Sequence, residues 1–252
     1  MENSLKRKVA RRETTVGTWI SSGSPNMVDL LRNLDFDWFV LDMEHSPINI
    51  ETVGSMIQVL NGSRATPIVR VNQIDQGLCK AVLDAGAQGV MVPLVNTAEE
   101  ARLAVRYCKY PPVGVRGAAA AKASDYGLSY ADYIRKANDE TMVIVQVETP
   151  QAVWNIREIV SVAGVDAAFV GPSDLTMSMG LLDDRSNPRV AEAMLTVVKA
   201  CEDAGKFAGV MATTLEEARL DLQRGFRFIS LATDVRFTTM GAQAFLGAAG
   251  RT

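Results

Sequence analysis

Histidine occurs once in these 252 residues and cysteine three times. Cys79, Cys108 and Cys201 are far apart and odd in number. They give neither a disulfide framework nor a metal-ligand spacing, and they fit reduced thiols. One histidine without paired cysteines also argues against zinc. No apolar run approaches the length of a membrane span, and no signal-peptide pattern opens the chain, so the expectation is a cytoplasmic protein away from membranes. A formal net charge of −3 gives no support for nucleic-acid binding. The basic cluster Lys6, Arg7, Lys8, Arg11 and Arg12, flanked by Glu2 and Glu13, reads as a solvated arm or a first helix; a short transit peptide is the alternative. No Pro/Ser-rich or charge-rich linker divides the chain. What is present, 48% hydrophobic and 22% charged residues, suffices for one large core and for a single (β/α)8 barrel.

Short apolar and β-branched runs recur near Val16–Ser21, Trp38–Met43, Pro67–Val71, Gly89–Val95, Met142–Val147, Ala167–Val170, Phe207–Met211 and Phe228–Leu231. Most are separated by stretches with apolar residues at helical spacing. Thr97-Ala98-Glu99-Glu100 reads as a capping box, and Thr214 to Glu217 resembles a second helix start. Gly86, Gly205 and Gly225 fall where helices should stop before the next strand. Eight strands alternating with helices favour a closed barrel, which leaves no exposed edge, over an open doubly wound sheet. The long stretch from Pro111 to Leu128 reads as a candidate lid or substrate loop on the C-terminal side of a strand, or more plainly as a connection whose alanines form a short helix.

The single histidine follows an apolar strand that ends in Asp42-Met43-Glu44-His45-Ser46-Pro47. Ionisable groups are costly to bury, so a strand delivering three at its tip is expected to aim them at a cavity. Taken alone, a histidine bonded to loop backbone would be the better reading. Other strands, however, end the same way, with Arg70 on the third, Gln146 and Glu148 on the fifth, and Ser173 and Asp174 on the sixth. Gln146 and Glu148 are two residues apart, and so point to one side of an extended chain. Each has a plainer explanation, and Asp174 could simply cap a helix. Four polar tips at one barrel mouth are better explained as one site.

Two carboxylates on adjacent strands suit Mg2+ or Mn2+ with open positions for substrate oxygens. Such an ion chelates a 2-oxo acid and acts as a Lewis acid on its ketone. Arg70 is placed to stabilise the enolate, His45 to move a proton, and the amides around Gly171, Pro172, Ser173 and Asp174 to hold a carboxylate. No lysine stands clearly at a strand tip, which speaks against Schiff-base chemistry.

At these residues the chain resembles the metal-dependent (class II) pyruvate aldolases of the HpcH/HpaI aldolase/citrate lyase family. The likeness runs through Phe36-Asp37-Trp38 to Pro47, Pro67–Val71, Leu83–Ala87, Val92-Pro93, Tyr110–Gly117, Gln146–Thr149 and Phe169–Leu175, and covers nearly everything from about Thr15 onward. It implies a TIM barrel of the phosphoenolpyruvate/pyruvate type over 15–252, with residues 1–14 as an N-terminal extension. It further implies Glu148 and Asp174 as ligands of Mg2+, Mn2+ or Co2+, and Gln146, Ser173 and Asp174 as contacts to the 2-oxo acid. His45 becomes the acid/base and Arg70 the enolate stabiliser. Asp84 stands where the family uses an aspartate to raise the histidine's basicity; by its surroundings it reads as a structural helix-end residue, and Asp42 is the rival partner for the imidazole. The resemblance also implies a hexamer, a trimer of dimers exchanging the last helix, here about Thr239 to Ala249. Residues 118–127 are poorer in arginine than in sugar-acid aldolases, and Ser230 to Asp234 replaces a glycine-containing strand end. Both departures fall on the aldehyde half.

The expected function is therefore reversible cleavage of a 4-hydroxy-2-oxo acid to pyruvate and an aldehyde. Alternatives are an oxaloacetate decarboxylase or acyl-CoA ester lyase on the same site, or a non-catalytic barrel that binds an oxo acid.

Overall fold

The computed structural model describes residues 2–251 apart from 183. Eight parallel strands close into a barrel in sequence order, each bonded to the next and β8 back to β1. They are β1 Thr15–Ile20, β2 Trp38–Asp42, β3 Thr66–Arg70, β4 Gly89–Val92, β5 Met142–Val147, β6 Ala167–Val170, β7 Phe207–Ala212 and β8 Phe228–Thr233. The helices are α1 Ser4–Ala10, α2 Pro25–Leu31, α3 Ile50–Leu60, α4 Gln76–Asp84, α5 Ala98–Cys108 and α6 Tyr130–Glu140. They continue with α7 Pro150–Trp154, α8 Ile156–Val160, α9 Pro172–Ser178, α10 Pro188–Asp203, α11 Leu215–Arg224 and α12 Asp234–Ala248. All eight expected strands are present. The Thr97/Glu100 capping box forms reciprocally, and Thr214 caps α11. Gly86, Gly205 and Gly225 take positive φ at their helix ends.

Strand alternation divides the core in two. Outward residues such as Phe39, Leu41, Val69, Val90 and Val145 pack beneath the helices. Inward residues Trp19, Trp38, Val40, Ile68, Met91, Ile144, Phe169 and Phe228 fill the barrel. Large side chains need small neighbours to interdigitate at interior density. Gly17 meets that need under Trp38, where a Cβ would lie 2.1 Å from the indole. Gly209 does so between Phe169 and Phe228, at 2.6 and 2.7 Å. Trp38 and Phe228 stack with ring centres 4.2 Å apart.

The N-terminal segment, of the two forms considered for it, is a helix. Asn3 caps α1 and donates from Nδ2 to the carbonyls of Gln88 and Glu140, 3.1 and 2.8 Å away. Leu5 is fully buried in the same cluster as Trp38 and Met142. The helix therefore closes the end of the barrel at which the strands begin. Leu5→Ala is expected to cost about 2–4 kcal/mol, the usual penalty for emptying a filled aliphatic site, read from urea unfolding. A loss below about 0.5 kcal/mol would mean that α1 is dispensable to the core.

The stretch from Pro111 to Leu128 is not a lid over this mouth. It joins α5 to α6 rather than following a strand, and it packs on the outer helices. Lys122 Nζ donates to Gly54 O at 2.9 Å, and Gln76 Nε2 donates to Val115 O at 3.3 Å. The alanines of 118–121 form no helix, and Lys122–Gly127 is a 3-10 segment.

Candidate active site

At the C-terminal strand ends a cavity of about 300 Å3 is lined by His45, Arg70, Gln146, Glu148, Gly171, Pro172, Ser173 and Asp174. The tips read from four separate strands thus line one cavity. Trp19, Phe169, Met211 and Arg185 complete the lining.

Arg70 is the most constrained group. Its Nε and Nη2 donate to the two carboxylate oxygens of Asp42, both at 2.9 Å. Nη1 lies 2.9 Å from Glu44 Oε2, and the guanidinium carbon stands 4.2 Å over the Trp19 ring. A fork held on three sides keeps one orientation, as a donor preorganised for developing negative charge requires. Burial pushes the Asp42 carboxyl up, but Arg70 and the amides of Glu44 and His45 outweigh it and hold the carboxyl below its usual range. Asp42 therefore belongs to Arg70. It touches His45 only through the backbone amide, 3.4 Å from Oδ1. Glu44, seen at the strand tip but given no role there, links the two groups, with Oε2 4.0 Å from His45 Nε2. Burial raises its carboxyl, against the pull of Arg70. The His45 side chain is 62% exposed at the rim.

Glu148 lies deeper, 3% exposed. Its Oε1 accepts from Gln146 Nε2 at 2.7 Å, and its Oε2 accepts from Leu94 N at 3.1 Å. Burial, with the charges of Asp174 and Glu44, pushes its pKa up to about 7. Asp174 is in the first turn of α9 and is not its cap; Gly171 holds that position without a side-chain bond. The aspartate is exposed toward the cavity.

Two hard carboxylate oxygens on one wall fit a divalent cation that leaves positions to substrate and water. Gln146 Oε1, buried and accepting no hydrogen bond from any described residue, adds a third oxygen nearby. A cation here would offset the burial, and with it the charges of Asp174 and Glu44, that push the Glu148 carboxyl up. Among the described residues no group of three or more His, Cys, Asp or Glu could hold a metal. A Cβ on Gly171 would sit 2.7 Å from Glu148 Oε1. Gly171→Ala is therefore expected to displace that carboxylate and weaken Mn2+ binding about tenfold or more, an effect of the size seen when a ligand's supporting contacts are lost. An unchanged isotherm in calorimetric titration would contradict this.

Asp84 is not among the residues lining the cavity. At the end of α4 it accepts from Arg116 Nη2 at 2.7 Å, and Arg116 is buried over the Tyr110 ring. Within one chain it makes no contact with His45. Trp19, Phe169 and Met211 escaped sequence reasoning because inward apolar residues look like ordinary core. Strand parity offers one signal: Phe169 is the register partner of Gln146.

Fold and site together define a (β/α)8-barrel protein with an acidic, arginine-braced pocket at the strand C-termini. The family model described as HpcH/HpaI aldolase/citrate lyase matches residues 15–239, and the chain belongs to that family. A 4-hydroxy-2-oxo-heptane-1,7-dioate aldolase of Shigella sonnei is 36% identical over 246 residues, 97% of this chain and 94% of that protein. Its counterpart in Klebsiella pneumoniae is 37% identical, over 97% and 92%. The crystal structure of an HpcH/HpaI aldolase/citrate lyase family protein from Burkholderia cenocepacia superposes with a TM-score of 0.95 at 35% identity, covering 98% of this chain and 99% of that one.

Proposed function

We propose that this chain is a metal-dependent carbon–carbon lyase that reversibly cleaves a 4-hydroxy-2-oxo acid to pyruvate and an aldehyde. The observation that carries the reading is the buried Glu148 lining the same cavity as Asp174 and a triply anchored Arg70. Glu148 and Asp174 would hold Mg2+, Mn2+ or Co2+, with Gln146 beside them. Bound there, the ion supplies Lewis-acid polarisation of the ketone. Gln146, Ser173 and the backbone N–H groups of Ser173 and Asp174, in the turn opened by Gly171 and Pro172, orient the oxo-acid end. Arg70 directs donors at the keto oxygen as it gains charge, and Trp19 and Phe169 keep water from that side. His45 accepts the C4 hydroxyl proton during cleavage and returns one in the reverse direction. Asp42 positions Arg70. Asp84 is assigned no step.

The assembly read from the family resemblance, a hexamer built as a trimer of dimers, is supported by α12. Beyond the buried Asp234 its apolar residues Met240, Phe245 and Leu246 are uncovered by their own barrel, as an exchanged helix would be. No helix of the described residues is long and apolar enough to cross a membrane.

Exchange of pyruvate methyl protons into deuterated water, followed by NMR, tests the enolate half without an aldehyde. Exchange is expected with Mg2+ or Mn2+ and not after chelation; metal-independent or absent exchange would refute the reading. His45→Ala should slow aldol cleavage about 10²–10⁴-fold while changing pyruvate affinity far less. Equal losses would reduce His45 to a positioning group.

A further inference from the structure

The turn that follows β4 holds a conformation its sequence does not favour. Leu94 takes φ +52°, the left-handed region that is costly for a residue with a Cβ and is usually left to glycine, asparagine or aspartate. Its side chain is not the reason, being 52% exposed. The main chain is. Leu94 N donates to Glu148 Oε2 at 3.1 Å, and the next amide, Val95 N, donates to the carbonyl of Gln146 at 3.2 Å. Two successive amides of the turn thus reach the tip of β5, and one of them meets the carboxylate itself. A backbone strained in this way persists only where its surroundings over-determine it.

Asn96 supplies that constraint. Its Nδ2 donates to Leu94 O at 2.9 Å, and its Oδ1 accepts from Thr149 Oγ1. Leu94 O can only accept. Thr149 Oγ1 already accepts from Ala152 N at 3.0 Å and is left to donate, so the two partners fix which way the amide faces. The main chain of Asn96 is tied as firmly: N donates to Glu100 Oε2 at 2.7 Å, and O accepts from Asn155 Nδ2 at 2.8 Å. The side chain therefore spans from the strained carbonyl to the residue directly after Glu148. Capping of α5 and α7 accounts for Glu100 and Thr149. It does not account for the bond from Asn96 Nδ2 to Leu94 O, which bears on no helix end.

We propose that Asn96 is a positioning residue for the candidate metal site: it locks the Leu94 turn in its left-handed form, so that the Leu94 amide holds Glu148 where an ion would be bound. This rests on the metal-ligand reading of Glu148 above and adds a residue that is not among those lining the cavity. Mn2+ binding to the whole protein, followed by calorimetric titration, is the readout. Asn96→Ala should weaken it about tenfold, the lower end of the scale for a lost contact behind a metal ligand. Adding Leu94→Gly should recover part of that loss, because glycine takes positive φ without the clamp. Asn96→Asp keeps the acceptor for Thr149 and loses the donor to Leu94 O. It should also bind more weakly, although its extra negative charge alone would tighten a cation, and it serves where the alanine variant does not fold. Binding as tight as in the unmodified protein, in Asn96→Ala or in Asn96→Asp, overturns the proposal. So does a loss in Asn96→Ala that Leu94→Gly leaves unchanged, which would place the effect at Thr149 instead of the turn. Absence of Mn2+ binding in the unmodified protein, or binding that Glu148→Gln leaves intact, would defeat the ligand reading and the part of Asn96 with it.

Discussion

Glu148→Gln is expected to remove metal-dependent turnover, by about 10³-fold or more, while leaving the barrel folded. Loss of a preorganised charge-stabilising group costs on that order, and here the lost group is one of only two carboxylates that would hold the ion. The fold should survive because glutamine keeps the shape that Gly171 accommodates and can still accept from Leu94 N. The metal-free protein gives a second readout. Burial holds the Glu148 pKa at about 7 against an ordinary 4.5. Between those values the native state keeps a proton that the unfolded chain has lost. Stability of the metal-free protein must therefore fall as pH rises from about 4.5 to 7, by about 3 kcal/mol from this group. Glu148→Gln lacks that decline. Urea midpoints of chelated protein at pH 5 and pH 8, at fixed protein concentration, measure the difference. Identical pH slopes in both proteins, or undiminished activity in the variant, would contradict the assignment.

Arg70→Met should be the most damaging change at the site to stability and activity together. It leaves the buried Asp42 and the half-buried Glu44 without their cation, and breaking such a network from one side costs about 3–5 kcal/mol. Lysine cannot substitute, because Asp42 is held by two parallel bonds from a planar fork. Turnover should fall about 10²–10³-fold with the loss of the donor to the keto oxygen. Asp42→Asn added to Arg70→Met should recover much of the stability and none of the activity, which separates the structural role of Arg70 from its chemical one. Near-normal unfolding of Arg70→Met would mean that the Asp42 and Glu44 contacts matter little.

The barrel was legible because parallel strands buried on both faces write short unbroken apolar runs, and because helix stops at Gly86, Gly205 and Gly225 punctuate them. Most of the polar lining of the cavity was legible for a related reason: Arg70, Gln146, Glu148 and Asp174 are polar where apolar runs end. Asp42 was placed correctly in space but with the wrong neighbour. Its partner is Arg70, 28 residues on, which lies opposite it only through the β2–β3 register. Arg116 stands in the Tyr110–Gly117 segment, where nothing local pairs it with Asp84, 32 residues away. Arg185 stands in an aperiodic segment. The connection from Pro111 to Leu128 was misjudged because two helices, α5 and α6, occupy one strand interval, so its length came from a helix junction and not from the mouth.

Glu148 and Asp174 are proposed to hold a divalent ion against the oxo acid. Paramagnetic resonance of Mn2+ with 17O-labelled pyruvate tests it directly. Oxygen-17 bonded to the ion broadens the manganese lines, and that broadening should be seen with the unmodified protein and vanish in Glu148→Gln and Asp174→Asn. Sharp lines with labelled pyruvate in the unmodified protein, or broadening that persists in both variants, would contradict the account.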